Sequence, residues 1–412
     1  MDNKNSLILG EKHLMIYKVP HYYKDFTCIA SECRDNCCLG GWQIDIDDET
    51  FKYYKTVPGK LGEMLMDCID TKNGCSFKLQ NGSCPFLDDK NLCRIYKELG
   101  EDRMGVVCRQ FPRFTEYYGN VKETGIGLAC EEAARIILED NLKFNLCDEI
   151  IQEEPFEGGE YDVQLGSSLF VLRGKLISLC DNHAFDLFTK LQIMTGICFE
   201  IQNLINENDY MQIDKYCQSF EYEAYKIPDE FYKKGNILSL NDSMASVIYS
   251  YLNLESLGDE WNVLLEGMLD KLHPDKQNVS SIKYLTLDNT YKSLLSDFMK
   301  CCKSRFNEYN NIIKYYLFRY FMKASFDYNI LGKIQLIISN IIVLMDLDIL
   351  KWSENNKVLT KQDRYYNVHI FSKQIEYSDE NISSLYEEFL FDDIFNADSL
   401  NWLLDELKQN LK

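Results

Sequence analysis

The stretch Cys28–Cys38, CIASECRDNCC, holds four cysteines within eleven residues, the last two adjacent, and runs directly into LGGWQIDID. Thiols this dense close disulfides, hold a metal or react, and the choice decides how the first third of the chain folds. A disulfide framework needs an oxidising compartment. The N-terminal residues MDNKNSLILGEKHLMIYKVP show no basic segment, no continuous apolar run and no small-residue cleavage site, so the sequence predicts a cytoplasmic protein. In that compartment clustered cysteines bind metal or act in redox chemistry.

The pattern continues downstream as CPFL at Cys84, CRIY at Cys93, CRQFPRF at Cys108 and ACEEAAR at Cys130. A thiolate centre needs about four deprotonated sulfurs converging from loops and later segments. The candidate ligands are Cys28, Cys33, Cys37, Cys38, Cys84, Cys93, Cys108 and Cys130. Pro85 and Pro112 stiffen two of their segments, and Gly40 with Gly41 lets the chain turn past the cysteine pair. Cys93 sits near the start of a short helix ending at Gly100, and Cys130 opens CEEAARIILED, positions where a helix N-terminus favours a thiolate. The set exceeds one four-ligand site. Adjacent Cys37 and Cys38 do not suit a single small ion together, so one of them packs or serves a second centre. The radical-type spacing C-x3-C-x2-C fails, because position 40 is glycine.

Farther out, 412 residues with 46% hydrophobic and 13% aromatic content describe a globular chain with a sizeable core. A net charge of -21 repels a phosphate backbone, so no nucleic-acid partner is expected, while it suits a lysine-bearing one. The apolar run Ile334–Leu350 is interrupted by Gln335, Ser339, Asn340, Asp346 and Asp348, which predicts a buried core helix and no membrane partner. Ten of the sixteen cysteines and twelve of the twenty-one glycines fall in the first 130 residues, marking a loop-rich module. The acidic, Gly/Pro-bearing segment Ile151–Asp162 reads as a linker, giving a cysteine-rich metal module over 1–155 and a helical domain over 156–412. The expected fold is mainly α: a cysteine-cluster module with a short β-hairpin, followed by an all-α domain.

Leu187, Leu191, Met194, Cys198, Ile201 and Ile205 recur at helical spacing, and the tail DSLNWLLDELKQNLK reads as an amphipathic helix capped by Asp398. Cys180, Cys198, Cys217, Cys301 and Cys302 read as small core residues. ETGIGLAC contains a G-x-G, but RFTEYY-GN-VKETGIGL places it in the second arm of a hairpin turning at Gly119–Asn120. In GWQIDIDDETFKYYK, alternation sets Trp42, Ile44 and Ile46 against Gln43, Asp45 and Asp47, with Asp47 the expected cap of the next helix. The five histidines show no ligand spacing.

The segments VPHYYKDFTCIASECRDNCCLGGWQIDID, CPFL, LCRIY, CRQFPRF and GLACEEAAR resemble the flagellin lysine N-methylase (FliB) family, as does the late stretch VHIFSKQIEYSDENISSLYEEF. The shorter cysteine pattern is also similar to proteins described as zinc- or iron-chelate binding. The methylase resemblance implies transfer of methyl groups from S-adenosylmethionine to lysine ε-amines of flagellin, with a [4Fe-4S] cluster as the metal centre. Zinc or iron is the alternative metal. The alternative function is a metal-binding module or iron–sulfur interaction protein without methyl transfer. Spacing alone identifies neither catalytic nor adenosylmethionine-binding residues.

Overall fold

The Gly119–Asn120 turn does join two antiparallel strands, but they belong to a larger sheet. The structure, a computed structural model, describes residues 13–39, 42–72, 74–139, 142, 144–153, 160–229, 239–274 and 281–411. Its strands are β1 (His13–Pro20), β2 (Ile69–Asp70), β3 (Ser76–Phe77), β4 (Arg113–Tyr118), β5 (Val121–Ile126) and β6 (Leu146–Glu153). The main sheet has the order β4-β5-β1-β6. β5 runs antiparallel to β4 and parallel to β1, while β6 pairs antiparallel with β1 along its whole length, from His13 opposite Glu153 to Pro20 opposite Leu146. Gly119 takes a φ of +60°, which glycine adopts without steric cost. The two glycines of the G-x-G serve packing. A Cβ on Gly125 would meet Phe114 Cζ at 2.5 Å, and one on Gly127 would meet an Arg319 guanidinium nitrogen at 3.0 Å.

Five short helices accompany the sheet: α1 (Asp48–Tyr54), α2 (Gly59–Cys68), α3 (Arg94–Leu99), α4 (Val106–Gln110) and α5 (Glu131–Ile137). The remainder is helical, as expected: α6 (Val163–Asp181), α7 (Leu187–Asn206), α8 (Tyr210–Ser219), α9 (Leu240–Leu252), α10 (Asp259–Leu272) and α11 (Ser281–Cys302). These are followed by α12 (Phe306–Arg319), α13 (Ala324–Asp327), α14 (Ile330–Glu354), α15 (Lys361–Glu376), α16 (Asp379–Phe391) and α17 (Ala397–Gln409). Of the expected linker, Ile151–Glu153 belong to β6 and Asp162 caps α6 through the Leu165 amide at 2.9 Å. Residues 154–159, and the expected turn at Gly40–Gly41, lie outside the described residues.

The apolar interior has two parts. The larger runs from Tyr22, Phe26 and the sheet through α5 into the helices; the smaller gathers Ile44, Ile46, Tyr54, Leu65, Ile69, Phe77, Phe86 and Ile95. So small a core supplies little stability by itself. α14 passes through the larger core. α6 and α14 are long and apolar enough to cross a membrane by length and composition, but the most apolar window of α14 is 94% buried inside the protein. Three of its buried polar residues find partners there. Asn340 accepts from the Tyr251 hydroxyl at 2.5 Å, and Asp346 from Tyr291 at 2.8 Å. Asp348 accepts from Tyr309 at 2.7 Å and from Asn367 at 2.8 Å. Such pairing is what burial of polar groups demands.

Two expectations are corrected. Cys301 is exposed, whereas Cys180, Cys198, Cys217 and Cys302 are buried; consecutive residues of a helix point about 100° apart, so only one of the 301–302 pair reaches the core. α17 begins at Ala397 with Asn396 in the capping position, which leaves Asp398 inside the first turn.

Candidate metal centre

The cysteine-rich loop is held against the far end of the chain. Asp35, between Cys33 and Cys37, accepts from Lys373 Nζ at 2.7 Å and lies 2.8 Å from His369 Nε2. The other ring nitrogen, Nδ1, faces the Ala129 carbonyl at 2.8 Å, an oxygen that can only accept. Burial alone would raise the Asp35 pKa, but the bonds from His369 and Lys373 outweigh it and hold the carboxyl at about 2. Arg34 pairs with Glu131 in the first turn of α5, donates to the Gln362 carbonyl at 2.9 Å and covers the Tyr366 ring at 5.5 Å. Asn36 ties the loop inward. Its side chain accepts from the Cys38 amide at 2.9 Å and donates to the Asn91 carbonyl at 3.4 Å, just ahead of Cys93. The Cys84 amide donates to the Cys38 carbonyl at 2.8 Å.

Seven of the eight candidate sulfurs are near enough for charge on one to bear on others. Cys38 lies beside both Cys37 and Cys84, and sharing a proton with them holds the thiols of those two down and its own up. Cys93 interacts with Cys84 and Cys37, and Cys108 with Cys84, Cys93 and Cys37. Cys33 and Cys130 approach from the Cys37 side. Cys28 is outside this set: it is exposed, its sulfur 3.4 Å from the Ala30 amide. Burial pushes Cys108 and Cys130 up to about 12 and Cys33 to about 11. A neighbouring cation reverses that preference.

Helix ends place two members as the sequence predicts. Cys93 caps α3, its sulfur accepting from the Tyr96 amide at 3.5 Å, and Cys130 occupies the capping position of α5. At Cys130 the burial of the sulfur outweighs the backbone amides of the first turn. Cys108 lies in α4, whose first amide, Val106 N, donates to Asp47 at 3.1 Å. Asp47 also caps α1, accepting from the Thr50 amide at 2.9 Å and its hydroxyl at 2.7 Å. That assigns Asp47 the capping role expected of it. Ile44 and Ile46 are buried and Gln43 and Asp45 exposed, the alternation expected.

On the helical side, Tyr377 stacks on Trp42 at 5.0 Å and touches Phe111 at 5.6 Å, all three rings half-buried. Burial raises the Tyr377 hydroxyl, which also feels Arg319, Glu376, Cys130 and Cys37. Next to it, the buried Glu376 carboxylate accepts from Tyr315 at 2.6 Å, Tyr320 at 3.1 Å and Ser372 at 2.5 Å, and pairs with Arg319 at 3.1 Å. Sequence patterns missed His369, Lys373, Glu376 and Tyr377. Their only signal is membership of VHIFSKQIEYSDENISSLYEEF, the late stretch that resembles the methylase family.

Soft, buried sulfurs from several segments fit a thiolate-bound cluster or ion in chemistry and burial. Among the described residues no group of three or more Cys, His, Asp or Glu side chains stands in position to hold an ion. The fit is therefore one of donor type, without a preformed coordination shell.

Residues 173–403 match the model of the FliB lysine N-methylase C-terminal domain, more than half of the chain. The chain belongs to the FliB lysine N-methylase family. Within that family it is similar to proteins named lysine-N-methylase from Salmonella choleraesuis and Salmonella typhimurium, at 31% identity over 168 residues, 39% of this chain and 40% of each relative. It is 33% identical over 129 residues to the flagellar biosynthetic protein FliU of Salmonella muenchen, covering 29% of this chain and 76% of that protein. The match thus spans less than half the length of the two lysine-N-methylases. No solved structure matches. The FliB C-terminal domain match includes His369 and Lys373, which bond to Asp35 in the cysteine loop, and Tyr377, which stacks on Trp42 just beyond it.

Proposed function

We propose that this protein transfers methyl groups from S-adenosylmethionine to lysine ε-amines of flagellin, with an iron–sulfur cluster held by its N-terminal cysteines. The observation that carries the reading is the family match over 173–403, joined to a cysteine loop that Asp35 fastens to His369 and Lys373 of that same region. Cys37, Cys84, Cys93 and Cys108 are the proposed ligands, because charge on each bears on at least two of the others, with Cys38 beside Cys37 and Cys84. Cys33 and Cys130 flank them.

S-adenosylmethionine supplies the methyl group as a sulfonium. A lysine amine must lose its proton before it can attack, against an ordinary pKa of about 10.4. The half-buried Trp42, Phe111 and Tyr377 offer a low-dielectric aromatic surface beside the thiols, which favours the neutral amine and suits a sulfonium. The net charge of -21 attracts a basic segment over distance, an attraction that salt weakens.

The test is the mass of flagellin co-expressed with this protein under conditions that keep the cluster intact. Increments of one methyl group on its lysines are expected. Unmodified flagellin alongside metal-loaded protein would leave a metal-binding module without methyl transfer.

A further inference from the structure

The proposed centre has one buried polar group on its Cys93–Cys108 side that bonds to nothing. Tyr54, the last residue of α1, is 0% exposed, and its hydroxyl has no hydrogen-bond partner. Its ring stacks on Phe77, 6.4 Å away, inside the small core against which Cys93 and Cys108 pack. After burial itself, the strongest influences on the hydroxyl are the Cys108 and Cys93 sulfurs, and the Gly105 amide faces it without closing a bond.

This placement is built in. Asp47 starts the helix that Tyr54 ends and also holds the first amide of the helix that carries Cys108. A Cβ on Gly105, at the junction, would stand 3.9 Å from Thr50 Cγ2 and 4.0 Å from the Asp45 carbonyl. An unpaired buried hydroxyl costs about 1–3 kcal/mol, so phenylalanine would be the better residue if packing were its whole purpose. A thiol sulfur is a weak acceptor. A metal-bound thiolate is anionic, and hydrogen bonds to ions are shorter and stronger. Outer partners of this kind orient ligands and tune the metal they hold.

We infer that Tyr54 is the hydrogen-bond donor to a metal-bound sulfur of Cys93 or Cys108, a positioning residue for the thiolate centre. The inference rests on the reading that these cysteines are ligands. The hydroxyl is unpaired while the sulfurs are thiols and gains its partner when they bind metal. Removing it therefore has opposite consequences in the two states.

The experiment compares full-length wild type, Tyr54→Phe and Tyr118→Phe. Tyr118 is a second buried, unbonded hydroxyl, and it sits in β4. Metal-free samples are unfolded in urea, titrated with zinc(II) against a chromophoric chelator, and reconstituted anaerobically with ferrous iron and sulfide. Metal-free Tyr54→Phe should be at least as stable as wild type, yet bind zinc about tenfold more weakly and show a displaced visible sulfur-to-metal band. Tyr118→Phe should change neither metal readout. Wild-type zinc affinity and spectrum in Tyr54→Phe would overturn the role, as would an equal loss in Tyr118→Phe or a Tyr54→Phe chain that cannot fold without metal. A wild type that takes up neither zinc nor iron removes the centre and Tyr54's role together. Metal held equally by wild type and Tyr54→Phe removes the role alone.

Discussion

Asp35 and His369 meet at 2.8 Å although 334 residues of chain separate them. With Lys373 at 2.7 Å on the same carboxylate oxygen, this contact fastens the cysteine loop to α15. Asp35→Ala leaves both nitrogens without their partner, and hydrogen bonds to charged groups contribute about 1.5–3 kcal/mol each. The variant should lose about 2 kcal/mol in urea unfolding, and protease should cut its 28–38 loop sooner. An unchanged unfolding midpoint with equal protease resistance would show that the loop holds itself.

The cysteines should divide by location. Serine at Cys37, Cys84, Cys93 or Cys108 is expected to reduce bound metal and, because ligation and folding are linked, to lower solubility. Serine at Cys198 or Cys217, buried in the helical half, should cost packing alone and leave metal content at wild-type levels. Metal analysis of anaerobically purified variants decides it, and equal losses from the two groups would refute the assignment.

Alkali should unfold the protein steeply. Burial raises the hydroxyl pKa of Tyr251, Tyr291, Tyr309, Tyr315 and Tyr316 well above the ordinary value near ten. The folded chain thus keeps protons that the unfolded chain releases. Stability from these groups is fully present below about pH 10 and falls as pH rises beyond it, by about 1.4 kcal/mol per pH unit for each such tyrosine. Tyrosinate absorbance from the buried fraction should appear together with loss of helical circular dichroism. Ionisation of that fraction with the helices intact would contradict the burial.

Two glycine substitutions should act in opposite directions. A Cβ at Gly125 meets Phe114 Cζ at 2.5 Å and Phe318 Cε1 at 3.0 Å, and overpacking of this kind costs about 1–3 kcal/mol. At Gly174, inside α6, a Cβ meets nothing within 4 Å, so alanine should add about 0.5–1 kcal/mol through helix propensity. Melting temperatures of Gly125→Ala and Gly174→Ala should therefore bracket the wild type. A Gly125→Ala protein that melts at the wild-type temperature would mean the rings give way freely.

Features whose cause lies within a few residues were legible in the sequence. Gly119–Asn120 announces its turn, the spacing from Leu187 to Ile205 its helix, and Asp47 and Cys93 their caps. β1 and β6 left no comparable signal. They pair with each other across more than a hundred residues, and β6 is an edge strand carrying Asp148, Glu149 and Glu153. The candidate site was half legible for the same reason: a cysteine declares its chemistry by type, whereas Asp35, Lys373 and Glu376 gain theirs from partners distant in sequence.

Because β1 lies beside β5, with Ile16 opposite Val121, the chain that leaves at Pro20 re-enters the same sheet at Arg113. Residues 21–112 are thus a closed excursion whose two feet are fixed about two strand spacings apart, roughly 10 Å. The entropy of bringing those feet together is met by the sheet, whatever happens inside the excursion. Loss of the proposed metal can then lower the local stability of the small core without unfolding it, while the strands stay paired. In hydrogen exchange, stripped protein should release the amides of α1 and α4 early while those of α7 and α14 keep their protection. On the proposed iron–sulfur reading, a cell that has run short of iron would hold a stock of folded scaffolds ready to be recharged, instead of a pool of denatured chain.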